Sequence, residues 1–388
     1  MQAHSRTIKA GLTLALTLLA GVCMAAGNAG PDDAAIDALA RAWMLKNDGI
    51  GLSIGVYDNG QRRFYNYGTT QIDGNAVPTK DTIYDIGPIG KTMTGQLLAR
   101  AVVEGRVTLE DEVTKFLGGE YKNLAHEGQR IQLKHLASTT SQLVDNIPDQ
   151  TQIRKVDGEP LAVTRMRVYS NYSSKEFLRQ LERVGLPRPP GERPGASNVS
   201  TMLLGIVLEK IHGEPFEDII AREIEKPLRM GSGTNPPAKL LARGYTRDNE
   251  PLPPYGATSQ YAVNSLRYSA DDLLRYASWQ MVERDASVKL AHQPLWSTPD
   301  GRSFVGFFWI VGESPHGRRL QFSGTTFGFA SFADLYPDAK LAVVLLSNKN
   351  TEGAQASLRA LSANIAALAR PGSVSQQPSS ADALQQDR

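Results

Sequence analysis

A chain of 388 residues, 41% hydrophobic and 21% charged, is long enough to bury one large core or two coupled ones, and a formal charge of +2 gives no basic footprint for nucleic acid. Cys23 is the only cysteine and falls in an N-terminal leader, which leaves the rest of the chain with neither a disulfide nor a thiol nucleophile. The six histidines, at 4, 126, 135, 212, 292 and 316, include no pair at metal-ligand spacing, so no metal and no other cofactor is expected.

Residues 1–25 read as a secretory signal peptide. Arg6 and Lys9 precede an apolar run from Ala10 to Val22, and small residues follow. The run is too short for a membrane span, and Val22 before Cys23 fits a lipidation signal poorly. Cleavage after Ala25 or Ala26 removes Arg6, Lys9 and no acid, which takes the charge from +2 to 0. The mature chain is expected in the periplasm or outside the cell.

Pro31 to Lys46 sets Ile36, Leu39, Ala40, Trp43 and Met44 three and four apart, on one face of a helix. "GLSIGVY" and "QRRFYNYG" read as two strands of a hairpin, joined by an Asn-Gly turn at Asp58–Gly60. Ile89 to Glu104 is helical in pattern, with Gly105 as its natural stop. Thr108, with Asp111 three residues on, predicts the cap of another helix.

The centre, roughly 120–285, reads as helix and loop. A rigid loop at Pro187–Gly195 leads into a helix over "ASNVSTMLLGIVLEKIHG", ending at Gly213. "SADDLLRYASWQMV" is a further helix, with Ser269 and Asp272 as a capping box. From Ser303, "SFVGFFWIVGE", "RRLQFSG", "FASFADLYP" and "LAVVLLSNKN" are four strand-like runs, and a last helix covers about Glu352 to Ala369. The tail from Gly372, rich in Ser, Gln and Ala, is expected to be disordered.

Strands at both ends and helices between them predict an α/β (α+β) fold. One antiparallel sheet pairs the first hairpin with the C-terminal strands and is flanked by helices, with a mostly helical domain inserted. The expected boundaries are 26–85 and 290–370 for the α/β domain, 86–289 for the insertion and 371–388 for the tail. A cleft is expected between the two domains.

The segments "YDIGPIGKTMTGQLLARAVVEGRVTLEDEVTKFL", "IQLKHLASTTSQL", "PPGERPGASNVSTMLLGIVLEKIHGEPF", "NSLRYSADDLLRYA" and "FSGTTFGFASFADLYPDAKLAVVLLSN" follow one another in a familiar order and spacing. Over residues 45–370 the chain resembles the serine β-lactamase and penicillin-binding protein superfamily, in its class C β-lactamase, D-alanyl-D-alanine carboxypeptidase and esterase branch. The resemblance implies that superfamily's fold and three catalytic motifs.

The first motif is Ser-x-x-Lys, in which the serine attacks a carbonyl and the lysine activates it. Here the positions read Pro88-Ile89-Gly90-Lys91, so the lysine remains and the serine does not. Proline also has no backbone N–H, and in the family the nucleophile's own amide is one of two oxyanion donors. The second motif, Tyr-x-Asn, reads Ala196-Ser197-Asn198, with no group at Ala196 to carry a proton. "YSN" at Tyr169–Asn171 matches the same string, but in the wrong context. The third motif, Lys or His, then Thr or Ser, then Gly, reads Phe322-Ser323-Gly324, with Thr325 left to offer the second oxyanion amide.

Each substitution also has a plain structural reading. Proline starts helices well, phenylalanine suits strands, and Asn198 is able to cap the helix after it. Lys91 is either a solvated helix lysine or, as the flanking "IGKTMTG" favours, a cleft residue within reach of Asn198. Ser197 and Ser323 are the remaining candidates for a substitute nucleophile; Thr92 and Thr94 point elsewhere on the helix.

Three functions are open. The leading one is an exported homologue that has lost acyl-enzyme catalysis and binds a ligand or partner, such as a peptidoglycan-like peptide, a small ester or amide, or a periplasmic protein. The second is a living amide or ester hydrolase with a rearranged site. The third is a periplasmic scaffold with no small ligand. In every case the candidate site is Lys91, Pro88, Ala196 and Phe322 at the family's catalytic positions, with Asn198, Ser323, Gly324 and Thr325 for binding.

Overall fold

Asp32 starts the fold. Its carboxylate accepts the N–H groups of Ala34 and Ala35 and opens a helix over Asp33–Lys46, with Ile36 and Ala40 facing inward. The computed structural model describes residues 32–255 and 261–370; the expected signal peptide and the expected disordered tail lie outside them. The hairpin Gly51–Asp58 and Gln61–Gly68 turns at Asn59 and Gly60, both at positive φ as the Asn-Gly signal requires.

This hairpin joins the C-terminal strands in one eight-stranded antiparallel sheet. Its order is Gln61–Gly68, Gly51–Asp58, Leu341–Ser347, Ala330–Tyr336, Gly317–Thr325, Ile310–Ser314, Ser303–Val305, Trp296–Ser297. The seam between the two ends of the chain is Gly51–Asp58 against Leu341–Ser347, in the register Ile54↔Leu345 and Val56↔Val343. Alternate residues of one strand feed different layers. Val343 and Leu345 pack with Ile36, Leu358 and Ile365 under the first and last helices. Val344 and Leu346 belong to the larger core with Leu97, Leu203 and Leu274.

The helices of the middle stretch form as their caps direct. Ser197 accepts the N–H of Ser200 to open Asn198–His212, which stops at Gly213 with φ 73°. Ser269 and Asp272 close a reciprocal capping box on Ala270–Val282.

Two expectations fail. No helix follows Thr108. The Asp111 carboxylate accepts the Thr108 N–H and the Lys115 ammonium, while the Asp111 N–H bonds Thr108 O, so the pair closes a turn. Val113 is then drawn to Ile131, and only a short 3-10 turn, Val113–Phe116, forms. "SFVGFFWIVGE" is not one strand but two, Ser303–Val305 and Ile310–Ser314, reversing at Phe308 with φ 67°. Burial of Phe307, Phe308 and Trp309 drives that reversal, since all three rings enter the core. Sequence reading also missed the small ribbon of Ile83–Asp85 with Arg267–Ser269.

The ribbon delivers the chain to a 3-10 turn, Gly87–Ile89, and then to the helix Gly90–Val103. Pro88 thus sits in the turn before the helix rather than in its first turn. Ser331 donates its hydroxyl to Ile86 O at 2.7 Å and ties this turn to the sheet. The Pro88 ring lies directly on the backbone of Gly324: a Cβ there would collide with the proline Cδ and stand 2.5 Å from its Cγ and 2.7 Å from its N.

Gly324→Ala therefore has no room, because a ring fused to the backbone cannot rotate away. It should destabilise the fold by roughly 1–3 kcal/mol in urea denaturation, and Pro88→Ala in the same chain should recover part of the loss.

Asp85, at the end of the ribbon, is buried, and burial pushes its carboxyl up to about 7 from 3.8, opposed by the nearby Arg267 charge. The folded state therefore holds this proton more tightly than the unfolded chain. The associated stability is complete below about pH 4 and is lost as pH rises towards 7, by up to roughly 4 kcal/mol. Denaturation midpoints from pH 4 to 7 should show this fall, and Asp85→Asn should flatten it.

Candidate functional site

The turn, the Asn198 helix and the strand Gly317–Thr325 meet around a cleft of about 480 Å³. Pro88, Lys91, Ala196, Asn198, Phe322, Ser323 and Thr325 all line it. Gly324 lies behind Pro88, where its missing side chain admits the ring.

Lys91 projects from the first turn of Gly90–Val103 and is 8% exposed, so it is not a solvated surface lysine. Phe322 is 4% exposed and forms an apolar stretch of the wall. On the opposite side, Ala196 is exposed at the mouth, and nothing on it transfers a proton.

The neighbours of Ala196 are committed to structure. Ser197, not Asn198, caps the helix, and the Ser197 hydroxyl donates to Val144 O at 2.9 Å while accepting from Ser200 N. With its proton and a lone pair engaged, Ser197 is a poor nucleophile. The Asn198 side chain donates to Asn146 Oδ1 at 2.9 Å, and its N–H reaches Asp145 O at 2.8 Å. Asn198 thus fastens the loop that carries Asp145 and Asn146. Thr92 and Thr94 are turned into the core, as expected: Thr92 donates to Ile89 O and Thr94 to Ala262 O.

The "YSN" string does not reach the cleft. Tyr169 is buried and donates to Pro148 O at 2.8 Å. Its burial pushes the phenol up to about 12, the wrong direction for a base.

Several lining residues escaped the sequence reading. Asp145 and Asn146 lie just after "TTSQL", and Asn264 opens "NSLRYS", so the matched segments pointed at them. Arg165, from the helix Leu161–Ser170, and Asn350 carried no such signal. Arg165 Nε, Asn264 Oδ1 and Thr326 Oγ1 are buried without a hydrogen-bond partner, and all three residues line the cleft. Buried polar atoms are rarely left so.

No group of three or more His, Cys, Asp and Glu is placed to hold a metal among the described residues. Nor is any described helix long and apolar enough to cross a membrane.

The sequence model of the family described as Beta-lactamase matches residues 35–368. D-alanyl-D-alanine-carboxypeptidase/endopeptidase AmpH of Escherichia coli is 23% identical over 318 residues, covering 77% of this chain and 80% of that protein. Protein flp of Staphylococcus aureus is 26% identical over 333 residues, covering 82% of this chain and 63% of the longer relative. Among solved structures, a β-lactamase/D-alanine carboxypeptidase from Pseudomonas syringae superposes with a TM-score of 0.72 at 20% identity, covering 87% of this chain and 99% of that one. That superposition carries the fold, and the match over 35–368 carries the kinship: the chain belongs to the β-lactamase family.

Proposed function

We propose that this β-lactamase-family protein is exported and binds a peptide, amide or ester ligand in its cleft without forming an acyl-enzyme. The observation that carries this reading is Pro88, which offers neither a hydroxyl to attack nor an amide hydrogen to an oxyanion, with its ring seated on Gly324. The changes at Ala196 and Phe322 support it, since they remove the other two motif side chains. Groups that act as a unit lose little more once the first is gone, so such losses accumulate together. Export rests on the leader sequence around Arg6, Lys9 and the Ala10–Val22 run. Because AmpH is named for D-alanyl-D-alanine peptides, a peptide ending in D-alanyl-D-alanine is the first ligand to try.

A second reading is a hydrolase with a rearranged site. Lys91 and Ser323 line the same cleft and supply the two residue types such chemistry needs. Intact-mass spectrometry after exposure to a fluorescent penicillin, with a chromogenic ester as a parallel substrate, separates the two. The expected result is no adduct and no turnover above background. Binding of the peptide should be measurable by calorimetry and weakened roughly tenfold by Lys91→Ala, as loss of a charged hydrogen bond implies. A stable acyl adduct, or turnover abolished by Lys91→Ala, would overturn the non-covalent reading.

Restoring one residue should not restore chemistry. Pro88→Ser alone is expected to remain unacylated, because Ala196 and Phe322 still lack their groups. The triple variant Pro88→Ser, Ala196→Tyr, Phe322→His should form a detectable penicillin adduct on the same mass measurement.

A further inference from the structure

One cation of the cleft belongs to none of the motif positions. Arg165, on the helix Leu161–Ser170, is half-buried and lines the space together with Leu161 and Ala162 of the same helix. Positions 161 and 165 are one turn apart, so a guanidinium and an aliphatic side chain stand side by side on one face.

The three guanidinium nitrogens have different fates. Nε is buried without a partner. Nη2 donates to the backbone O of Gln150, another lining residue, at 3.1 Å, which anchors the group. Nη1 makes no hydrogen bond to a described residue and is not enclosed, so it is the nitrogen open to a ligand.

The acids around Arg165 are engaged elsewhere. Asp145, the one carboxylate among the described lining residues, accepts Asn146 Nδ2 at 2.7 Å. Asp149 accepts the N–H and the hydroxyl of Thr151, both at 2.8 Å. Glu159 takes Arg167 at 2.7 Å. A guanidinium drawn partly out of water is ordinarily paired with an anion, and among the described residues none pairs with this one. The charged lining of the cleft is Lys91 and Arg165 against Asp145, an excess of one positive charge.

We propose that Arg165 seats a carboxylate of the cleft's ligand, which makes that ligand a monoanion whose acid group adjoins a small aliphatic substituent. The proposal rests on the reading of this cleft as the ligand site. The carboxylate accepts Nη1–H, and the substituent lies against Leu161 and Ala162. Phe322 makes the strand a poor alternative seat, since its side chain is apolar and offers no donor. One carboxylate balances the excess charge, whereas an ammonium would add to it. Lys91 is then left to a neutral acceptor, such as an amide carbonyl.

The test measures binding of N-acetyl-D-alanyl-D-alanine and of its C-terminal amide to the full mature chain by calorimetry. The two probes differ only in the charge at one end. The acid should bind at least about tenfold tighter than the amide, as a charge-assisted hydrogen bond implies. Arg165→Gln should bring the two to equal affinity by weakening the acid alone. Arg165→Lys, which keeps the charge without the fork, should retain part of the preference. Lys91→Ala should weaken both probes by the same factor and leave their ratio unchanged; it carries the test if Arg165→Gln does not fold.

Equal affinity of acid and amide in the unaltered chain overturns the proposal but leaves the cleft reading in place, because both still bind. A preference that persists in Arg165→Gln, or vanishes in Lys91→Ala, has the same effect. Binding of neither probe overturns both. A penicillin adduct bears on the non-covalent reading alone.

Discussion

The contact between the Pro88 ring and the Gly324 backbone is the constraint on which the cleft depends. It joins the turn before the Lys91 helix to the strand Gly317–Thr325 at van der Waals range, with only a hydrogen on the glycine side. The lysine and the apolar wall of the cleft are placed relative to that junction. Lys91 follows Pro88 by less than one helical turn, and Phe322 and Ser323 precede Gly324 on the strand. Pro88 serves here as a packing element. A proline is a good occupant for purely mechanical reasons, since it stiffens the turn and needs no hydrogen-bond partner.

Away from the cleft, buried polar groups hold the sheet in register. Asp334, fully buried, accepts Arg319 Nε at 2.8 Å and Nη2 at 3.1 Å, together with Ser362 Oγ at 2.6 Å. That cluster fastens two neighbouring strands to the last helix. On the far side, Gln96, Gln280, His292 and Ser287 form a continuous chain of hydrogen bonds between the Lys91 helix and its neighbours. Such networks are costly to half-break, so they resist sliding of one layer over another. The cleft is built on rigid supports on both sides.

Much of this was legible in the residues. The helix over Asn198–His212 announced itself through a Ser cap and a terminal glycine, and the hairpin through Asn59-Gly60. Other features depended on distant partners. Thr108 and Asp111 carry the string of a helix cap, yet Ile131 claims the chain two residues later and a turn results. "SFVGFFWIVGE" looks like one strand, but three consecutive rings cannot all face the core from a straight strand, since neighbours point to opposite sides. For the cleft, motif positions led to Lys91, Pro88, Ala196 and Phe322. Arg165 lay beyond reach, because no local pattern says which helix residue a fold will turn towards a cavity.

The Ser197 cap frees its neighbour from any part in holding the fold. The hydroxyl that nucleates the helix, and that clasps the loop at Val144, belongs to the middle residue of the second motif. The position before it contributes nothing to either bond. Residue 196, exposed at the mouth, is thus open to exchange at almost no folding penalty. What stands at the mouth and what nucleates the helix rest on different atoms.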